Sequence, residues 1–285
     1  LYGVEPKNVL PVNGSDEALY FTFLAFGDGS HPFAYPEISY GFYPVFAKLT
    51  HVPAREIPPK SGFTVDYRDY LGINEHIVIA NPNAPTGVCL SVGEIEQIVR
   101  ANPDRVVVID EAYIDFGGES CVPLVRRYDN LLVIQTFSKS RSLAGARLGF
   151  AVGSEELIRD LNTIKYSVNP YNVNRMTQAA GVAAIGDGAY YSANAQTIIR
   201  TRQHRKAELF QRFCRERGGG RRNALPRTQG ARRAGAALYQ TKHTKLLPHH
   251  DWNGRTDGHS AQQNTRDIKR ERTLKQSCAP HKSAE

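Results

Sequence analysis

The sequence predicts an α/β protein with a mainly parallel sheet that is covered by helices on both faces. Four short apolar runs rich in β-branched residues occupy positions 76–80, 105–109, 131–134 and 148–152, with helical or loop segments between them. Runs of this kind at this spacing are typical of parallel strands buried on both faces. A polar motif directly follows each of the first three runs. Since such sheets bind ligands beyond the carboxyl ends of their strands, we expect the functional site there.

The composition is that of a globular protein. The chain has 285 residues, of which 41% are hydrophobic and 22% are charged, enough for a sizeable core. It contains no apolar stretch of about 18 residues and no signal-peptide pattern at its start, so we predict no membrane association and a cytoplasmic location. The cysteines, Cys89, Cys121, Cys214 and Cys278, are far apart, and we interpret them as reduced structural residues that bind no metal.

The net charge of +8 is unevenly distributed. Residues 1–217 hold 22 basic and 23 acidic side chains, whereas residues 218–285 hold 14 basic and 5 acidic ones. The first part is therefore nearly neutral, which argues against a nucleic-acid-binding surface on it.

The first predicted helix begins near the string Gly14-Ser15-Asp16-Glu17 and covers 18–26. Residues 1–9 before it read as the end of a helix and a turn, so we expect a preceding segment to be missing. Ser15 or Asp16 can cap the helix, and the free amides of its first turn can bind an anion. An ordinary helix cap is the alternative.

An aromatic segment covers residues 31–46. We interpret most of its rings as core or interface packing. These are Phe33, Tyr35, Tyr40, Phe42, Tyr43 and Phe46.

Two further helices carry recognisable start signals. Ser91 and Glu94 form a capping-box pattern after the 76–80 run, and Ser154 precedes a helix predicted over 154–166. A long amphipathic helix is predicted over roughly 189–217.

Asp110-Glu111-Ala112-Tyr113 follows the 105–109 run. A carboxylate at the end of a buried strand is unfavourable unless it has a cationic or hydrogen-bonding partner, so Asp110 is a candidate ligand-binding residue. The alternative is a helix cap after a strand. We expect Glu111 and Asp115 to be solvated.

Residues 136–149 hold the strongest candidate site. Lys139 lies between the 131–134 and 148–152 runs, and a lysine held between buried strands loses solvation, which favours a nucleophilic amine. Arg147 provides a guanidinium suited to a phosphate, and Thr136 and Ser138 add hydroxyls. Most single lysines are instead solvated surface residues.

This segment, in which arginine follows the lysine by eight residues, resembles the Schiff-base lysine segment of aminotransferases that use pyridoxal phosphate. The form is that of the histidinol-phosphate aminotransferase family, and the resemblance covers roughly residues 1–215. It implies a fold-type I large domain, pyridoxal 5'-phosphate as cofactor and a homodimer. The implied reaction exchanges an amino group between L-histidinol phosphate and a 2-oxo acid, 2-oxoglutarate.

The resemblance also implies roles for individual residues. Lys139 would carry the cofactor and act as general base, Asp110 would pair with the pyridine nitrogen, and Tyr113 would bond to the ring hydroxyl. The string 36–43 resembles the family segment whose first tyrosine, here Tyr40, stacks on the ring. The implied phosphate-binding residues are Gly14, Ser15, Asp16, Thr136, Ser138 and Arg147.

The loop 81–87 departs from the family pattern Asn-Pro-Asn-Asn-Pro-Thr-Gly, because Ala84 replaces the asparagine that bonds to the ring hydroxyl. Tyr113 would then make this bond alone, or Asn81 or Asn83 would replace it; we retain Asn83 as a candidate. The loop 169–174 resembles a stretch near the substrate that is reached across the dimer interface. A plain turn is equally compatible with its sequence.

We predict three parts: a cofactor-binding large domain at 1–187, a connecting helix at 188–217 and a basic tail at 218–285. The tail lacks periodicity, which is typical of disorder. The family has a small domain here, whose carboxylate-binding arginine stands in a string such as RITIGTDEQMD. A one-nucleotide shift of the codons for 248–258 permits that string. We therefore interpret the tail as a frame-shifted translation and expect the chain as given to be a poor enzyme.

Other functions fit parts of the sequence. An aromatic aminotransferase or a threonine-phosphate decarboxylase would share nearly all of these motifs. From another class, the chain could be a nucleic-acid-binding protein that uses its basic tail, although no helix-turn-helix or zinc pattern is visible. A non-catalytic remnant is the third alternative.

Overall fold

The computed structural model describes residues 2–202, which lie in the first of the two units into which the chain divides, Leu1–Gly218. These residues form a seven-stranded sheet in the order β1-β7-β6-β5-β4-β2-β3. The strands are β1 (Val9–Val12), β2 (Phe33–Pro36), β3 (Ala54–Ile57), β4 (His76–Ala80), β5 (Val107–Asp110), β6 (Leu131–Thr136) and β7 (Gly149–Val152).

The sheet is mainly parallel, which confirms the predicted fold class. Strands β3, β2, β4, β5 and β6 run parallel to one another, and β7 runs antiparallel to both β6 and β1. Ala80 of β4, Asp110 of β5 and Ile134 of β6 lie side by side. The carboxyl ends of these three strands therefore meet at one edge.

Helices cover both faces of the sheet. They are α1 (Ser15–Phe26), α2 (Tyr43–Leu49), α3 (Val92–Ala101), α4 (Glu155–Val168) and α5 (Arg175–Gly186), and residues 188–202 are also helical. Alternate strand residues face opposite sides, so Val108 joins the core under α1 and α4, whereas Ile109 joins the core under α3. Among the described residues, no helix is long and apolar enough to cross a membrane.

Two of the three predicted helix starts are confirmed, and one is wrong. Ser91 and Glu94 form the capping box of α3, and the Ser154 hydroxyl accepts a bond of 3.3 Å from the Leu157 amide at the start of α4. Helix α1 instead has Gly14 as its N-cap, with φ of 80° and no capping side chain. Ser15 and Asp16 are its first helical residues.

The strands β1, β2 and β3 were not predicted. Each has four residues, β1 and β2 each contain a proline, and β3 exposes three of its four side chains. None presents the β-branched run that marks the other strands. The N-terminal residues predicted as a helix end and turn form a 3₁₀ turn at Pro6–Asn8 that leads into β1.

His76 at the start of β4 is a buried, neutral imidazole. Its ring is 6% exposed, packs against Phe33 and accepts a bond of 2.8 Å at Nδ1 from the Val106 amide. Burial, together with a smaller effect of the charge of Arg105, lowers the pKa of His76 to about 4. The acceptor role at Nδ1 requires the neutral ring.

We expect His76 to make folding stability depend on pH. Because the unfolded chain binds the proton more readily, His76 stabilises the fold above about pH 6.5, and this contribution is lost as the pH falls towards 4. In urea unfolding, the free energy of unfolding of the parent should fall by on the order of 1–3 kcal/mol more than that of His76→Gln between these pH values. His51→Gln, at an exposed histidine, is the control and should behave like the parent. Equal losses in the parent and His76→Gln would contradict the assignment.

Candidate active site

The three polar motifs predicted to line the site meet at the edge where β4, β5 and β6 end. The loop 81–87 follows β4, Asp110 ends β5 and is followed by residues 111–113, and Ser138 and Lys139 lie beyond the end of β6. The side-by-side register of the three strands brings these segments together.

Asp110 is a buried carboxylate with two donors of its own. It is 5% exposed; Oδ2 accepts a bond of 2.9 Å from the Tyr43 hydroxyl, and Oδ1 accepts one of 3.1 Å from the Ala112 amide. Burial raises the pKa of Asp110 to about 6, although these bonds and the charge of Lys139 act to lower it. Asp110 is therefore mainly ionised at neutral pH.

Tyr43 is a site residue that the sequence interpretation missed, because it was assigned to packing. Its side chain is fully buried, and burial raises the pKa of Tyr43 well above its ordinary value, so the phenol remains a proton donor. The available signal was its place in the string 36–43, three residues after Tyr40.

Lys139 does not have the predicted shielding between two strands. Strand β6 ends at Thr136, so Lys139 lies in the turn beyond it and is exposed. Its ammonium nitrogen is 5.1 Å from the centroid of the Tyr113 ring, a cation–π contact. The lysine thus lies over Tyr113 and close enough to Asp110 to influence its charge.

The first turn of α1 and Arg147 form a compact pair of anion-binding groups. A Cβ atom on Gly14 would lie 2.5 Å from Nη2 of Arg147 and would displace the guanidinium, and the φ of 80° at this position also favours glycine. A Cβ atom on Gly149 would lie 2.6 Å from the Ser15 amide nitrogen, so a second glycine lets β7 approach this turn. The sequence interpretation assigned Gly149 to a strand and missed this role.

Ser138 supplies a hydroxyl that has no hydrogen-bond partner among the described residues, although its oxygen is buried. The Ser138 amide donates to the Thr136 hydroxyl over 3.1 Å. The Thr136 hydroxyl in turn donates to the Leu148 carbonyl over 3.4 Å. An orphan hydroxyl, helix amides and a guanidinium are donors that suit a phosphate group. These residues fit the phosphate of the expected cofactor.

Tyr40 and Asp16 connect the two ends of the site. The Tyr40 hydroxyl donates to Oδ1 of Asp16 over 2.9 Å, and Oδ2 of Asp16 lies 3.4 Å from Arg147. The Tyr40 ring meets the Tyr43 ring edge-on, with 5.6 Å between centroids. Since a carboxylate repels a phosphate, the group of Asp16 suited to an anion is its backbone amide.

Both candidate asparagines already have hydrogen-bond partners in the protein. Asn81 exchanges bonds with the backbone of Leu90 through both side-chain atoms, at 2.8 and 3.1 Å. The Asn83 amide donates to the Ile38 carbonyl and to Thr86, each over 2.9 Å, and its oxygen accepts from Ser39 over 2.8 Å. A cofactor contact from Asn83 remains a prediction.

The expectation that Glu111 is solvated is wrong. Glu111 is 1% exposed, and burial raises its pKa. Its carboxylate accepts bonds from the Cys121 amide over 2.6 Å and from Ser120 and Gln135, each over 2.7 Å. These bonds fasten the turn after β5 to β6. Asp115 is exposed, as predicted.

No cluster of three or more histidine, cysteine or acidic side chains that could hold a metal occurs in the part of the chain that the structure describes.

The family model for class I and II aminotransferases matches residues 1–216, and the chain belongs to this family. It is 49% identical over 210 residues to a histidinol-phosphate aminotransferase of Brachyspira hyodysenteriae, covering 73% of this chain and 59% of the relative. A histidinol-phosphate aminotransferase of Lactococcus lactis subsp. cremoris is 50% identical over 198 residues, covering 70% and 56% respectively. The chain thus spans a little over half the length of these relatives.

Solved structures show the same fold. The histidinol-phosphate aminotransferase of Clostridium acetobutylicum matches with a TM-score of 0.61 at 22% identity, over 72% of this chain and 62% of the other. Aspartate aminotransferase of Thermus thermophilus with maleate matches with a TM-score of 0.65 at 21% identity, over 73% and 57%. The fold is therefore the fold-type I transferase fold that the sequence predicted.

Replacing Tyr43 with phenylalanine should raise the pKa of Asp110 further above about 6, because the hydroxyl that stabilises the carboxylate is removed. Carbon-13 NMR of labelled aspartate carboxyl groups across a pH titration measures the shift. Tyr35→Phe is the matched control, since Tyr35 is also buried and its ring lies 5.7 Å from that of Tyr43. An unchanged Asp110 titration in Tyr43→Phe would refute the assigned bond.

Proposed function

We propose that this chain is the cofactor-binding part of a pyridoxal-phosphate-dependent aminotransferase that acts on L-histidinol phosphate and 2-oxoglutarate. The observation that carries the proposal is the placement of a buried, ionised Asp110 and the amine of Lys139 at one sheet edge, beside a set of phosphate-binding donors. The choice of histidinol phosphate is supported by the two relatives that are 49% and 50% identical to this chain, since both are histidinol-phosphate aminotransferases.

The phosphate would be held by the first-turn amides of α1, the guanidinium of Arg147 and the hydroxyls of Ser138 and Thr136. Asp110 would hold the proton on the pyridine nitrogen, because a buried carboxylate is stabilised by a cationic partner. Tyr113 would donate to the ring hydroxyl, and Tyr40 would lie against the ring face.

When bound, pyridoxal phosphate supplies an electron-withdrawing ring that stabilises negative charge at the substrate α-carbon. The chain's own contribution to the reaction is the proton transfer. Nζ of Lys139 would remove the proton from the α-carbon as general base. The Tyr113 ring, 5.1 Å away, would stabilise the resulting ammonium.

We also propose that the protein forms a homodimer. Apolar side chains at the N-cap of α2 and along this helix are strongly exposed for a monomer surface. They are Phe42 (47%), Val45 (40%) and Leu49 (63%).

The proposed domain limits are 1–187, 188–217 and 218–285, with the last part out of frame. The family match ends at residue 216, next to the change in composition, which supports the boundary at 217. Residues 203–285 lie outside the described part of the chain. Sequencing the nucleotides under residues 215–285 tests the frame shift.

Incubation with pyridoxal phosphate followed by borohydride reduction should place a stable adduct on Lys139, because this amine lies beside both Asp110 and the phosphate-binding donors. Peptide mass mapping locates the adduct. Lys139→Arg should abolish it, whereas Lys165→Arg, which changes a lysine on α4, should not. An adduct on Lys165, or none in a folded sample, would refute the cofactor assignment.

A second sample, loaded with pyridoxal phosphate but not reduced, tests the choice of substrate. Spectroscopic titration with L-histidinol phosphate should convert the bound cofactor, and L-phenylalanine and threonine phosphate should do so less completely. If L-phenylalanine or threonine phosphate reacts better, an aromatic aminotransferase or a decarboxylase becomes the assignment. The conversion should be slow in the chain as given and faster in a chain with the restored frame and an added N-terminal segment.

A further inference from the structure

Glu17, in the first turn of α1, makes contacts that the proposed chemistry does not use. Its half-buried carboxylate accepts three hydrogen bonds. The Asn13 amide donates to it over 2.6 Å, the Asn169 side chain over 2.7 Å and the Asn172 side chain over 2.5 Å. The two asparagines are 152 and 155 residues away in sequence, so one carboxylate joins two distant parts of the chain.

The bond from Asn13 shapes the anion-binding turn. Asn13 precedes Gly14, whose φ of 80° turns the chain into α1. By accepting from the Asn13 amide, Glu17 closes this turn from inside the helix, as the acidic residue of a capping box does. The position of the first-turn amides therefore depends on Glu17.

The bonds from Asn169 and Asn172 hold a loop between α4 and α5, which we term the 169–174 loop. Its last residue, Asn174, caps α5 by accepting from the Thr177 amide over 2.9 Å. The Thr177 hydroxyl donates over 2.9 Å to the carbonyl of Ala146, the residue before Arg147. The loop and the start of α5 are thus bonded to both walls of the phosphate-binding site, the α1 turn and the Arg147 segment.

We propose that Glu17 is a positioning residue that couples the 169–174 loop to the phosphate-binding turn, so that binding of a phosphate-bearing cofactor orders the loop. This inference rests on the proposed function only for the identity of the ligand, pyridoxal phosphate. Because such coupling is reciprocal, a loosened loop must also weaken cofactor binding. All three groups facing Glu17 are donors, so a glutamine, which has only one carbonyl oxygen, cannot satisfy them.

Chymotrypsin tests the loop directly, since Tyr171 is 94% exposed. Mass spectrometry follows cleavage of the Tyr171–Asn172 bond with and without pyridoxal phosphate, and fluorescence titration gives the dissociation constant. In the parent, the cofactor should slow this cleavage. In Glu17→Gln, cleavage should be about tenfold faster, protection by the cofactor should largely disappear, and the dissociation constant should rise about tenfold, the effect of losing one hydrogen bond to a charged group.

Two further variants keep the test decisive. Glu156→Gln removes an exposed carboxylate from the first turn of α4 and should match the parent in both measurements. Asn169→Ala removes one bond from the loop side without changing the Tyr171–Asn172 bond, and it should speed cleavage and weaken cofactor binding even if Glu17→Gln fails to fold.

The proposal is overturned if Glu17→Gln and Asn169→Ala are cleaved at the parental rate. It is equally overturned if they are cleaved faster but bind the cofactor as the parent does. If the parent itself fails to bind pyridoxal phosphate, the proposed function fails. Parental cleavage rates in both variants would separately show that Glu17 does not hold the 169–174 loop.

Discussion

The carboxylate of Asp110 lies buried at the carboxyl end of β5, where an unpaired charge would be strongly unfavourable. Tyr43 and the Ala112 amide partly satisfy it, and its pKa is nevertheless raised to about 6. A cationic partner would stabilise the charge further. This remaining demand for a positive group supports the proposal that the strand end binds a ligand.

The bond from Tyr43 to Asp110 has consequences well beyond β5. The Tyr43 ring meets the Tyr40 ring, the Tyr40 hydroxyl bonds to Asp16, and Asp16 lies beside Arg147. A continuous series of contacts therefore connects the carboxylate end of the site to its phosphate-binding end. These contacts link helix α2 to the first turn of α1, which supports the proposal that one cofactor with a ring and a phosphate binds along this series.

The sequence predicted those parts of the fold and site that depend on local pattern. The β-branched runs predicted β4, β5 and β6, and their polar ends predicted the edge where Asp110 and Lys139 lie. The strands β1 and β2 were missed because a proline interrupts a run of only four residues. Their place in the sheet comes from their neighbours.

Features that depend on distant partners were not predictable in this way. The burial of Glu111 depends on Ser120, Cys121 and Gln135, which surround it only after the chain folds. The partnership of Tyr43 with Asp110 joins residues 67 apart. Lys139 is exposed because β6 ends three residues before it. The sequence pattern locates strand ends only approximately, so it could not predict this exposure.

The central claim is that Asp110 holds a proton on the pyridine nitrogen of the cofactor. Nitrogen-15 NMR of pyridoxal phosphate labelled at the ring nitrogen, bound to the chain, tests it most directly. In the parent the nitrogen should stay protonated from about pH 6 to about pH 9, whereas in Asp110→Asn it should lose its proton within this range, because a neutral amide does not stabilise the cation. The same nitrogen-15 shift in both proteins at every pH would contradict the account.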